Sequence, residues 1–174
     1  DAAMRSRVDG HLEHVRALEA TSLLTLPEGV VLSSTGSRRA QTSFGTLVCS
    51  RLRDTLEAEA ALINGGGLRG ETEHRGQLTY ADLHEELAFE NEVVVVSMPG
   101  AVVRDAIRHS RATLRGTGGF LQVDDAASVD DAHELRTLAG GPLDLERRYR
   151  VAIVRDLLFG VDRIEPLLAF ARAH

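Results

Sequence analysis

Hydrophobic positions along the chain recur in two rhythms. Met4, Val8, Leu12, Val15 and Leu18 stand at helical spacing and predict an amphipathic helix over residues 1 to about 20. Pro27 and Gly29 punctuate the stretch after it. Val30 to Ser33 predicts a short strand. Thr42 or Ser43 then caps a helix to about Glu59, with Phe44, Leu47, Val48, Leu52 and Leu56 turned inward. Ala61 to Asn64 predicts a short buried strand that empties into Gly65-Gly-Gly-Leu-Arg-Gly70. Thr79 starts a helix through about Leu87, with Asp82 at its third position favouring the N-terminus. Glu92 to Met98 predicts a strand. Pro99 suits the first turn of the next helix, which carries Val102, Val103, Ala106 and Ile107. Phe120 to Val123 and Glu134 to Leu138 predict strands joined by an acidic turn. Tyr149 to Val154 predicts another strand, and Asp162 opens a last helix ending near Ala171.

Helices and strands alternate without a regular βαβ rhythm, which favours a mixed α+β domain over a doubly wound sheet. No tandem repeat, low-complexity tract or long linker divides the chain. Its 174 residues and 43% hydrophobic content suffice for one packed core. No apolar run approaches the roughly 20 residues that span a bilayer, so no membrane partner is expected. The amphipathic N-terminal residues do not read as a signal peptide.

Charge narrows the chemistry. A net charge of −6 argues against non-specific nucleic-acid binding, which rests on an excess of cations over phosphates. All 20 basic residues are Arg. The absence of Lys removes Schiff-base chemistry, a Walker-type phosphate lysine and a lysine general base. Recognition of anions therefore falls to the planar guanidinium fork. Cys49 is the single cysteine, which rules out an internal disulfide, and its setting predicts a packed thiol on the buried face of a helix.

Several motifs raise possibilities that their surroundings weaken. Gly65, Gly67 and Gly70 satisfy G-x-G-x-x-G after a strand, but Glu71 to Gly76 reads as a charged loop where dinucleotide binding needs a helix. Asp-x-His occurs at Asp9-Gly-His11, Asp82-Leu-His84 and Asp131-Ala-His133. A dinuclear phosphoesterase centre also needs ligands from several further loops, and neither Asn64 nor Asn91 precedes a His. Asp9, His11 and His14 read as the solvated face of the first helix. Asp124-Asp125 and Asp130-Asp131 lack a calcium-loop pattern and read as a solvated connection. No catalytic residue and no metal ligand is assigned, and no cofactor is expected in this chain.

Read in order, a set of segments resembles the 5′-nucleotidase C-terminal domain family. Arg38-Arg-Ala-Gln-Thr-Ser-Phe-Gly-Thr46 is similar to its Arg-x-x-Glu-Thr-x-x-Gly-Asn opening. Asn64-Gly-Gly-Gly-Leu-Arg69 matches its Asn-Gly-Gly-Gly-Ile-Arg loop. Gly76 to Leu83, followed by Leu87-Ala-Phe89, resembles its Gly-x-Ile-Thr…Leu-Pro-Phe block, and Gly119 to Val123 and Tyr149 to Ala152 resemble its later strands. The resemblance implies a four-layer α/β/β/α fold, with residues 1–28 as a linker helix and 29–174 as the substrate-binding domain. It implies a neighbouring N-terminal metallophosphoesterase domain that holds divalent metals, with a nucleotide or other phosphoester bound between the two.

Site roles follow from the same resemblance. Arg38 and Arg69 correspond to arginines that contact phosphate or ribose oxygens, and Asn64 to an amide beside the base. Gly65, Gly66 and Gly67 allow close approach to the backbone, Phe89 is one aromatic wall, and Asp162 retains a carboxylate position. Gln41 and Thr46 depart from the family's Glu and Asn. Gly160-Val-Asp-Arg-Ile164 stands where the family has Gly-Gly-Asp-Gly-Phe/Tyr, which puts Ile164 in place of a second aromatic wall. The implied function is the substrate-binding part of a metal-dependent 5′-nucleotidase-type phosphohydrolase, inactive when isolated. The alternative is a non-catalytic binding module that kept the fold. Location is left open, periplasmic or extracellular by resemblance and cytoplasmic not excluded.

Overall fold

A computed structural model describes residues 12–173. A helix over residues 12–19 (α1) leads into strand β1 (Ser22–Thr25), followed by β2 (Val31–Ser33) and helix α2 (Ser43–Thr55). Strand β3 (Ala60–Asn64) ends in a 3₁₀ turn over Gly65–Gly67, and β4 (Glu73–Arg75), β5 (Gln77–Thr79) and helix α3 (Tyr80–Glu86) follow. Next come β6 (Val93–Pro99), helix α4 (Gly100–Thr113), β7 (Leu121–Val123), β8 (Ser128–Val129), β9 (Leu135–Leu138) and β10 (Gly141–Pro142). The chain finishes with β11 (Arg148–Val154), α5 (Arg155–Leu158) and α6 (Glu165–Ala173).

The main sheet has the order β6-β11-β3-β7. β11 runs parallel to β3, with Val151 opposite Ala60, and antiparallel to β6. β7 closes the other edge antiparallel to β3. Ala60, Ala61, Leu62 and Ile63 are all buried, so this central strand is covered on both faces. A smaller sheet, β10-β9-β8, and two-stranded ladders β1-β5 and β2-β4 complete the α+β architecture.

Local chemistry sets the boundaries of the elements. The Thr42 side chain accepts the Gly45 N–H at 3.1 Å and starts α2. Thr79 and Asp82 form a reciprocal capping box on α3, as the sequence predicts. α4 begins at Gly100, where a Cβ would collide with the Asp144 carbonyl and press on the Tyr149 ring. Phe44 and Cys49 from α2, and Val103, Ala106 and Ile107 from α4, enter one core with the central sheet.

Several elements escape the hydrophobic pattern. β1 is mostly exposed and is held by backbone pairing of Leu24 with Leu78 and Thr25 with Gln77. In β4 the inward residue is His74, so its alternation of exposed and buried positions is invisible to hydropathy. Residues 73–75 are therefore a strand within the 71–76 stretch, where a charged loop is expected. Asp124 is also corrected: it is buried rather than solvated, accepting the Ala61 N–H at 2.7 Å and the Arg53 Nη1–H at 2.9 Å. Met4, Val8, Asp9 and His11 lie outside the described residues.

Candidate functional site

The loop after β3 is shaped by backbone packing. Gly65 N donates to Phe120 O at 2.7 Å and Gly66 N to Gly118 O at 2.8 Å. A Cβ on Gly65 would collide with the Ser37 carbonyl, and one on Gly66 would lie 2.9 Å from Gly118 Cα. These two glycines thus let the loop touch segments 37 and 118, and their N–H groups are already used. Gly65 is buried within the loop and does not line the cleft beside it, whereas Gly67, also buried, does.

This open cleft of ≈ 280 Å³ has walls that include Arg38, Asn64, Gly66, Gly67, Arg69, Phe89 and Asp162. Asn64 Nδ2 donates to Asp162 Oδ2 at 2.7 Å, which fixes the amide and one carboxylate oxygen against each other. The Gly118-Gly119 pair gives Asp162 its room, since a Cβ on Gly119 would stand 3.1 Å from Asp162 Cβ. Phe89 is 54% exposed, and the Arg69 guanidinium lies over its ring with Cζ 5.4 Å from the centroid. Neither Arg38 nor Arg69 makes an ion pair among the described residues. Two guanidinium groups without carboxylate partners thus share one concave surface with an exposed ring.

The expected position of Ile164 is corrected. Ile164 is completely buried in the hydrophobic core and does not face the cleft. Burial of such a side chain is worth roughly 1.5–3 kcal/mol, which draws it inward ahead of α6. The turn before it has Gly160 at φ 97 and Arg163 at φ 52. It aims Asp162 and Val161 outward instead. Val161, 65% exposed, and Asp156 also line the cleft, which adds an aliphatic and an acidic residue to its lining. Val161 stands inside the Gly160-Val-Asp-Arg-Ile164 motif without being singled out there, and Asp156 belongs to no motif. The nearest signal is the second glycine cluster, Gly116-Thr-Gly-Gly119, immediately before β7.

The remaining candidates have structural partners. Asp82 belongs to the α3 capping box and His84 stacks on Tyr80 with centroids 6.4 Å apart. Among the described residues no group of three His, Cys, Asp or Glu converges. Gln41 and Thr46, the two departures in the opening motif, lie in one network. Gln41 Nε2 donates to Val123 O at 2.9 Å and its Oε1 accepts from Arg111 Nη2 at 2.7 Å. Arg111 is buried without a carboxylate and its Nε has no partner among the described residues, and burial pushes its pKa down to about 10.

Comparison with known proteins bears on the family and the fold. The chain is 29% identical over 117 residues to Protein UshA of Escherichia coli (strain K12), an alignment covering 66% of this chain and 21% of that protein. A 5′-nucleotidase precursor from Thermus thermophilus superposes with a TM-score of 0.73 at 24% identity, covering 94% of this chain and 35% of that one. The NAD nucleotidase NadN of Haemophilus influenzae gives a TM-score of 0.68 at 16% identity, covering 98% and 34% respectively. The chain therefore spans about a fifth of that curated relative and about a third of these structures. No helix among the described residues is long and apolar enough to cross a membrane. The family description 5′-nucleotidase, C-terminal domain, matches residues 20–167, and the chain belongs to that family.

Proposed function

We propose that this chain is the substrate-binding part of a metal-dependent phosphohydrolase acting on nucleotides or related phosphoesters. The observation that carries the reading is the pairing of two guanidinium groups free of carboxylates, Arg38 and Arg69, with the exposed Phe89 ring in one cleft. Guanidinium forks match phosphate oxygens, and a flat ring offers stacking worth about 1–3 kcal/mol to a base. Asn64 and Asp162, already bonded to each other, offer an amide and a carboxylate to hydroxyl or amino groups.

Hydrolysis belongs in this proposal to divalent metals on a separate N-terminal domain, and an isolated chain contributes recognition alone. A periplasmic or extracellular location is part of the same reading. Calorimetric titration with AMP, ribose 5-phosphate and inorganic phosphate tests it. AMP should bind most tightly, and Arg38→Ala and Arg69→Ala should each weaken all three ligands. Phe89→Leu should weaken AMP more than ribose 5-phosphate or inorganic phosphate. Unchanged phosphate affinity in both arginine variants would remove the basis of the proposal.

A further inference from the structure

We propose that Glu86, buried outside the cleft, is the positioning residue that sets Arg69 against Phe89. The inference rests on the reading of the cleft above and adds a residue to it. Glu86 is completely buried at the end of α3. Its carboxylate accepts from Ser34 Oγ at 2.7 Å and from Gly70 N at 3.1 Å, and meets His74 Nε2 at 2.8 Å. Its main-chain oxygen accepts from Arg69 N at 2.9 Å. Both N–H groups at the exit of the glycine loop, those of Arg69 and Gly70, therefore end on one residue. Ser34 extends the tie by accepting the Thr72 N–H at 2.9 Å.

The same residue governs the facing wall. Three positions beyond Glu86 the chain delivers Phe89, whose ring carries the Arg69 guanidinium. Gly70 is explained as well, because a Cβ there would collide with the Glu86 carboxyl. The third glycine of the apparent dinucleotide motif makes room for a carboxylate of the same chain. A leucine at 86 could fill the space but could accept none of the side-chain hydrogen bonds. Buried carboxylates persist where donors surround them, and the donors here are the loop to be ordered. Ser34 bonds the carboxylate rather than the imidazole and is itself buried, so the trio is no nucleophilic triad.

Nuclear magnetic resonance of the chain supplies a readout that general stability does not. Stacking over Phe89 should shift the Arg69 side-chain signals upfield, and Phe89→Leu identifies that shift by abolishing it. Glu86→Ala should abolish it too, whereas Val103→Ala, a cavity in α4 on the core side, should leave it intact. Gly70→Ala, which forces the same contact apart while keeping the carboxylate, should reproduce the loss if Glu86→Ala does not fold. Phosphate affinity should fall about tenfold in step, the loss expected when one charge-assisted bond is no longer held in place. Persistence of the shift in the folded Glu86→Ala or Gly70→Ala variant overturns the proposal, as does its loss in Val103→Ala. Should wild-type chain bind no phosphate, the reading of the cleft fails while the ring-current result still decides the role of Glu86.

Discussion

Gln41 Nε2 donates to Thr46 Oγ1 at 2.9 Å, so the two positions at which the opening motif departs from its family are bonded to each other. The departures thus form one paired change. Their effect falls on Arg111, which receives a neutral amide oxygen where a carboxylate would neutralise it.

Gln41→Glu alone should give Arg111 a counter-charge but set a carboxylate oxygen against the Val123 carbonyl, which now accepts from the Gln41 amide. Thr46→Asn alone should disturb the same network. Together they should compensate, with a coupling energy of about 0.5–3 kcal/mol in a double-mutant cycle. Urea unfolding of the four proteins measures it, and simple additivity would show that the two sites act independently.

Asp82 gives stability a predictable dependence on pH. Its carboxylate accepts the Thr79 N–H and Thr79 hydroxyl, each at 2.7 Å, and these bonds hold its pKa below the ordinary value. A depressed carboxyl pKa contributes stability above the unfolded value of about 3.9, and that contribution is lost as pH falls through the folded value. Asp82→Asn should cost about 0.5–1 kcal/mol at pH 7, discounted for partial exposure. The gap to wild type should close below pH 4. An equal gap at both ends of the titration would remove the capping carboxylate from the account.

Arg163 stands in left-handed backbone at φ 52, where the family motif has glycine. A side chain there costs roughly 1 kcal/mol. Arg163→Gly should raise stability by about 0.5 kcal/mol after the added freedom of the unfolded chain is counted. A lower midpoint in thermal unfolding would mean that the exposed side chain contributes more than its backbone strain removes.

Cys49 should report opening of the core. It is fully buried, its Sγ lies 3.5 Å from Gln122 O, and burial pushes the thiol pKa far up. Maleimide labelling should be negligible in the native protein and should accelerate in parallel with urea unfolding. Rapid labelling without denaturant would place the thiol at a surface.

Legibility followed the physical origin of each feature. α2, α4, β3, β6 and β11 turn apolar rows to the core and α3 carries a capping box, so period and caps reveal them in the sequence. β1 pairs through its backbone and buries little, and β4 buries a histidine, so neither leaves an apolar trace. In the cleft, residues of the Asn-Gly-Gly-Gly-Leu-Arg motif and Phe89 were visible because motif spacing records them. The cleft role of Val161 was not, because it follows from a turn that buries Ile164, a tertiary preference the linear motif does not contain, and Asp156, in α5, belongs to no motif. Glu86 and His74 read as ordinary polar residues until the fold brings them together.

The strand order β6-β11-β3-β7 has a consequence for synthesis. Ala60 emerges well before its parallel neighbour Val151. While the polypeptide grows, β3 exposes one unpaired edge, and only β7 is available to cover the other. Long-range parallel pairing is slow to form and leaves such edges open to wrong partners. The sheet therefore cannot seal until residues 148–154 leave the ribosome, and a chain that stops short of them should be a chaperone client rather than a smaller folded protein.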